Sequence, residues 1–232
     1  MFEILFFCIV FTFLYTPYGI LIEKGSNIRS FSLQLIFSLI ILSFFSLLIN
    51  FFIPISKNVN SIFLIIGFFL ILKYKRSYLK KKYIIFSIFS GLIIFLLISN
   101  SNVYRPDAGL YHLPYINIIN EEKIIIGAAN LHFRFGHTSI LQYTSAIFNN
   151  LLFSNNGIVF PSAAIASAVI INFLSNINRN LKIKNFNFYF FLILSLLIFI
   201  FYKVNRYSEY GNDAPAHLIL FILFAEIIKN YK

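Results

Sequence analysis

The stretch NSIFLIIGFFLIL (60–72), KYKRSYLKKK (73–82), YIIFSIFSGLIIFLLIS (83–99) decides the class of this chain. Two apolar runs flank a ten-residue segment that holds six Lys and Arg and no acid. The second run is seventeen residues without a charge. That length suits a membrane-crossing helix, which needs about 17–25 mostly apolar residues. The first run is shorter, and flanking residues that snorkel let it cross as well.

The rest of the chain agrees. Of 232 residues, 59% are hydrophobic and 12% charged, about half the usual globular share of roughly 25%. A water-facing surface needs more charge than this, and a disordered chain needs less apolar content. A lone cysteine, Cys8, excludes a disulfide scaffold. The net charge of +11 sits between apolar runs, so it reads as membrane topology and not as a nucleic-acid surface. Ile, Phe, Asn and Lys are abundant and Trp is absent. An A/T-rich genome produces that bias, so a single Asn or Lys carries little weight.

Seven segments are candidate spans: 2–22, 31–53, 60–72, 83–99, 157–175, 187–202 and 214–228. The first lacks a basic leader and a small-residue cleavage site, so it is not read as a signal peptide. An eighth segment, 138–153, is apolar but carries Gln142, Thr144, Asn149 and Asn150. Charge decides its place, because cytoplasmic loops are rich in Lys and Arg. With 73–82 inside and 138–153 not crossing, thirteen of the nineteen basic residues are cytoplasmic; if it crosses, ten are. The expectation is therefore an all-α polytopic bundle of about seven spans, N-terminus outside and C-terminus in the cytoplasm. The segment 138–153 is then an amphipathic helix at the outer interface. The small-residue cluster 162–168, SAAIASA, predicts a central helix that neighbours approach closely. Residues 1–82 form an N-terminal membrane unit with the basic loop, and 83–232 a core that includes the outer loop 100–156.

This topology brings 100–156 and 203–213 to one side, with all four His and Asp107, Glu209 and Asp213 in or beside them. In RPDAGLYHLP (105–114) Asp107 follows a span directly, with Arg105, Tyr111 and His112 near it. A carboxylate there has the chemistry of a general base, and interfacial burial would raise its pKa. The plainer alternative is a helix N-cap. In GAANLHFRFGH (127–137), His132, Arg134 and His137 suit an anion such as a phosphate. A three-His metal site with His112 is disfavoured, since no Cys or carboxylate lies at ligand spacing. Asp213 opens the last span with Pro215 in its first turn, again cap or site. His217 lies about a turn deeper, where a polar side chain usually faces the bundle interior. Phosphate-loop, dinucleotide, zinc-protease and serine-hydrolase motifs are absent from the sequence.

The order of these parts resembles the N-terminal half of the GT-C membrane glycosyltransferases. That order is a span, an outer Asp in a Tyr-His-rich helix, an outer helix, a small-residue span, a short basic turn, a span, and an outer Asp opening the next. The pair DAGLYHLP (107–114) and GAANLHFRFG (127–136) is also similar to a group of bacterial multispan proteins with Asp-Thr-Gly-Leu-Tyr-His-like and Gly-Asn-Leu-His-Gly-Arg-like motifs. The resemblance covers roughly 83–228 and implies transfer of a sugar from a polyprenyl-phosphate-linked donor at the outer face of a bacterial inner membrane. Asp107 then activates the acceptor, and Asp213 orients it or binds a divalent cation. His132, Arg134 and His137 are placed near the donor phosphate by charge, not by a family position, and Arg105, Tyr111 and His112 beside Asp107 are further candidates for substrate binding. The resembled enzymes carry more spans, so a truncated member, or a partner chain completing the bundle, is also expected. Two alternatives stand beside this reading: a transporter component for a lipid-linked glycan, and a non-catalytic membrane protein whose Asp residues are caps.

Overall fold

The computed structural model describes residues 1–22, 30–100, 106–136, 139–207, 210–211 and 213–230. Arg105, His137 and Glu209 lie outside the described residues. Among the described residues the chain is helical, with no strand. Helix α1 is Phe2–Tyr15, continued by a 3-10 turn Thr16–Leu21, followed by α2 Phe31–Asn50, α3 Lys57–Lys73, the short α4 Lys75–Tyr78 and α5 Lys81–Ser99. The segment between α5 and α8 holds α6 Leu113–Glu121 and α7 Ile140–Ile147. Then come α8 Phe160–Lys182, α9 Phe188–Tyr202 and α10 Asp213–Asn230.

Local chemistry places several of these boundaries. Ser56 precedes α3 and its Oγ accepts from Val59 N at 3.5 Å; Asn187 Oδ1 accepts from Phe190 N at 3.0 Å at the start of α9. Pro114 and Pro161 occupy first turns, where a missing N–H costs nothing. Ser139 and Gln142 form a capping box at α7. Lys229 pairs with Glu226 at 3.2 Å one turn earlier, as i,i+3 spacing allows.

Each predicted span is helical along most of its length. Among the described residues four segments are long and apolar enough to cross a membrane: Phe2–Leu21, Phe31–Asn50, Lys81–Ser99 and Ser154–Lys182. Phe188–Tyr202 is apolar but only fifteen residues long, about 22 Å of helix. Large apolar side chains such as Ile65, Phe69, Phe191 and Ile198 are exposed, as expected of helices bathed in lipid.

The bundle is organised around α8. Every residue from Phe160 to Phe173 is buried, so the small-residue helix is central, as its sequence predicts. Ser167 Oγ lies 2.8 Å from Ser90 Oγ on α5, and Asn172 Nδ2 donates to Ser32 Oγ on α2 at 3.3 Å. Helix α1 lies equally close to α5: Thr12 Oγ1 donates to Ser87 O at 2.8 Å, and a Cβ added to Gly91 would sit 2.7 Å from Ile9 Cα. The main apolar cluster draws on Phe11 and Leu35 as well as Ile94, Phe160 and Leu218. Residues 1–82 and 83–232 therefore share one core.

The segment 138–153 departs from expectation. Its helix is only eight residues, about 12 Å, too short to cross. It is not an amphipathic helix lying on a lipid surface either. Gln142, Tyr143, Thr144, Ala146 and Ile147 are all buried, and the turn beyond it plugs into the bundle. Phe148 packs edge-on against Phe11 and Tyr15 at 4.7 Å, and Phe153 against Phe7 at 5.6 Å.

Asparagines satisfy the carbonyls this plug exposes. Asn60 Nδ2 reaches Ile55 O at 3.0 Å, Ala146 O at 2.8 Å and Asn149 O at 2.8 Å. Asn120 Nδ2 reaches Ile55 O at 2.8 Å and Ala146 O at 3.1 Å, and its Oδ1 accepts from Asn149 Nδ2 at 2.8 Å. Asn150 Nδ2 donates to the Tyr15 hydroxyl at 3.1 Å. Asn50 Nδ2 donates to Glu122 O at 2.9 Å. A buried carbonyl without a donor costs about 1–3 kcal/mol, so these amides lock α2, α3, α6 and α7 into one platform at this end of the bundle.

Candidate functional site

The platform carries the candidate site. Pro106 and Asp107 are helical and lead through a π turn, Ala108–His112, into α6. A π turn inserted before an α-helix is uncommon and recurs at functional sites. This one carries Tyr111 and His112. Asp107 has helical angles, φ −60° and ψ −31°, and its side chain makes no capping hydrogen bond. It is also exposed. The cap expected as the plain alternative is absent, and so is the expected burial.

Tyr111 joins the two charges of the site. Its hydroxyl interacts with the Asp107 carboxylate and accepts from Arg134 Nη1 at 3.4 Å. The Arg134 guanidinium carbon lies 4.7 Å from the centre of the Tyr111 ring, a cation–π stack. Burial pushes the Tyr111 phenol up; the Asp107 carboxylate adds to that push and Arg134 opposes it. Acid and guanidinium are thus held on either side of one hydroxyl.

His112 lies beneath them, 7% exposed. Burial holds its imidazole below the ordinary value of 6.5; Asp107 and Asp213 pull the other way, and Arg134 reinforces the burial. That direction favours the neutral ring. Its Nδ1 lies 3.5 Å from Gln142 Nε2. Asp213, the first residue of α10, is exposed and close enough for its charge to act on His112.

The structure therefore gathers Asp107, Tyr111, His112, Arg134 and Asp213 from three separate parts of the sequence. His132 belongs to the rim: its Nδ1 accepts from Arg134 N at 3.3 Å and its ring stacks on Phe133 at 5.1 Å, which shapes its own loop. Arg105 and His137, placed here by sequence, lie outside the described residues. His217 does not face the bundle interior. It is exposed on α10, whose buried side is Pro215, Leu218, Ile222 and Ala225. Among the described residues no group of three His, Cys, Asp or Glu could hold a metal ion.

Two features of the site are not singled out by sequence. One is Gln142. The other is an open groove of about 420 Å³ between α6, α7 and the loop before α7, lined by Leu47, Tyr115, Ile124, Phe135, Ile140 and Tyr143 among others. Gly127, with φ +82°, turns the loop over this groove, a backbone conformation that side chains rarely adopt. The phenols of Tyr115 and Tyr143 interact there, and burial pushes that of Tyr143 up.

The sequence model of the family described as "Domain of unknown function (DUF8201)" matches residues 1–232, and the chain belongs to that family. No curated protein and no solved structure matches the chain.

Proposed function

We propose that this protein is a GT-C-like membrane glycosyltransferase, or a truncated member of that group, which transfers a sugar from a polyprenyl-phosphate-linked donor at the outer face of a bacterial inner membrane. The observation that carries the reading is the exposed Asp107 carboxylate, unspent on capping and separated from Arg134 by a single phenol hydroxyl. A base and an anion holder at that spacing flank the reacting carbon of a displacement. The acceptor hydroxyl oxygen forms a bond to the anomeric carbon, and its proton passes to Asp107. The bond from that carbon to the phosphate oxygen breaks, and polyprenyl phosphate leaves with the electron pair. Arg134 stabilises the charge that grows on the phosphate.

The accompanying topology has seven crossings, with the N-terminus outside and the C-terminus in the cytoplasm. It is supported by helices at all seven predicted segments and by thirteen of nineteen basic residues on the inner side. The shorter helices α3, α9 and α10 cross by local thinning of the bilayer and snorkelling of their ends.

The test is transfer of radiolabelled sugar from polyprenyl-phosphate donors to membrane acceptors in cells lacking the gene. Complementation with the wild-type chain restores a labelled product, and Asp107→Asn does not. Full restoration by Asp107→Asn refutes the assignment. A change confined to glycan export points instead to transport.

A further inference from the structure

The capping box at the start of α7 reaches into the site. Ser139 N donates to Gln142 Oε1 at 3.0 Å, which fixes which end of the amide is which. Gln142 Nε2 therefore faces His112 Nδ1, 3.5 Å away, and the only productive pairing has the amide donating and Nδ1 accepting. A neutral imidazole that accepts at Nδ1 carries its proton on Nε2. Nε2 points to the stretch ahead of α10, since a Cβ added to Gly211 would lie 3.8 Å from it. The charged groups that act on the ring are Asp107 from its own helix, Asp213 from α10 and Arg134 from the loop over the groove; Tyr111 is stacked at 4.2 Å.

We propose that Gln142 sets the tautomer of His112, Nδ1 the acceptor and Nε2 the donor, and that through Nε2–H His112 is the positioning residue that holds Gly211, ahead of α10, against the Asp107 helix. A ring protonated at both nitrogens would turn an N–H against the amide N–H of Gln142. Turning the amide over would relieve that clash and break the capping box. The local geometry thus opposes the cation even between two carboxylates. The inference goes beyond sugar transfer and stands or falls without it.

The test is nitrogen NMR of the full chain, labelled with 15N-histidine, in lipid nanodiscs, with His112 assigned by loss of its signals in His112→Phe. The expected result is a neutral ring at pH 7 with the proton on Nε2. Gln142→Glu keeps an acceptor for Ser139 N–H and replaces the facing amide by oxygen. It is expected to protonate Nδ1 and raise the midpoint by about one to three pH units. Hydrogen exchange at Tyr210 and Gly211 is expected to rise about tenfold in His112→Phe, a loss of roughly one hydrogen bond. His112→Gln, whose amide can donate from the Nε2 position, should rescue much of it. A proton on Nδ1 in the wild-type chain, a charged ring at pH 7, an unmoved titration in Gln142→Glu, or unchanged exchange in His112→Phe overturns the proposal.

Discussion

Asn60 offers the sharpest test of how the platform is held. Its two amide N–H groups serve three carbonyls, those of Ile55, Ala146 and Asn149. In Asn60→Leu the carbonyls of Ile55 and Ala146 keep Asn120 as a donor, so the carbonyl stranded by the change is that of Asn149. The same change removes Asn60 Oδ1, a buried acceptor with no partner, and these two terms roughly cancel. What remains is the loss of two amide donors, about 0.5–1.5 kcal/mol each, or about 1–3 kcal/mol. Asn60→Asp has the same size but points oxygen at all three carbonyls. Ionised, it is a buried charge without a counter-ion, which costs about 3–5 kcal/mol; protonated, it has one donor for three acceptors. The expected order of stability is wild type, then Leu, then Asp, with Asp lower than Leu by about 2 kcal/mol. Reversible SDS titration in detergent micelles reads this order. An Asp variant as stable as the Leu variant would show that the amide is not donating, and the platform would need another explanation.

Further outcomes follow from the same geometry. Asp107→Asn should leave the unfolding midpoint unchanged within about 0.5 kcal/mol, since its side chain is exposed and makes no capping bond; a loss near 1 kcal/mol would restore the cap. Gly91→Ala should destabilise by about 1–3 kcal/mol, because its new Cβ meets Ile9 at 2.7 Å; the same titration measures it. In a Cys8→Ala background, a maleimide should label Ile126→Cys readily and Ala164→Cys hardly at all, as Ile126 is 97% exposed in the loop before α7 and Ala164 is 0% exposed. Burial holds His112 below 6.5, so between its folded midpoint and 6.5 the unfolded chain binds the extra proton. Stability should then be full above 6.5 and fall as pH drops through that window, a slope that His112→Phe abolishes.

Much of the fold is legible in the sequence because lipid imposes a simple rule. Backbone groups in a bilayer must be satisfied within the chain, so long apolar runs become helices, and their places along the chain can be read directly. The cluster 162–168 marks the central helix for a similarly local reason, since small side chains let neighbours approach. The gathering of Asp107, Arg134 and Asp213 is legible through topology, which brings their loops to one side. The asparagine network is not. In a chain rich in Asn by composition, Asn50, Asn60, Asn120 and Asn149 look like bias, and only the fold reveals that each meets a group from a distant segment. His112 is placed near Asp107 by the sequence, but its contacts with Gln142 and Gly211, far away along the chain, are not legible there.

Charge counting and packing exclude a crossing at 138–153 by different routes. The count of basic residues rejects a span there because everything downstream would invert. The fold rejects it because the helix stops after Ile147, well short of a bilayer's about 30 Å. Stopping a helix inside protein strands its last carbonyls. Here Ala146 O and Asn149 O take donors from Asn60, and Ala146 O also from Asn120, while Asn150 Oδ1 accepts from Leu152 N at 2.9 Å and Phe153 N at 2.8 Å. The donors that let this stretch end early thus come from Asn60 and Asn120 outside it, while Asn150 within it holds the turn that follows. Ending early points Phe148 and Phe153 into the bundle and turns Gln142 toward His112. Asparagines from three segments, Asn60, Asn120 and Asn150, therefore hold the stretch that carries Gln142 to the candidate site.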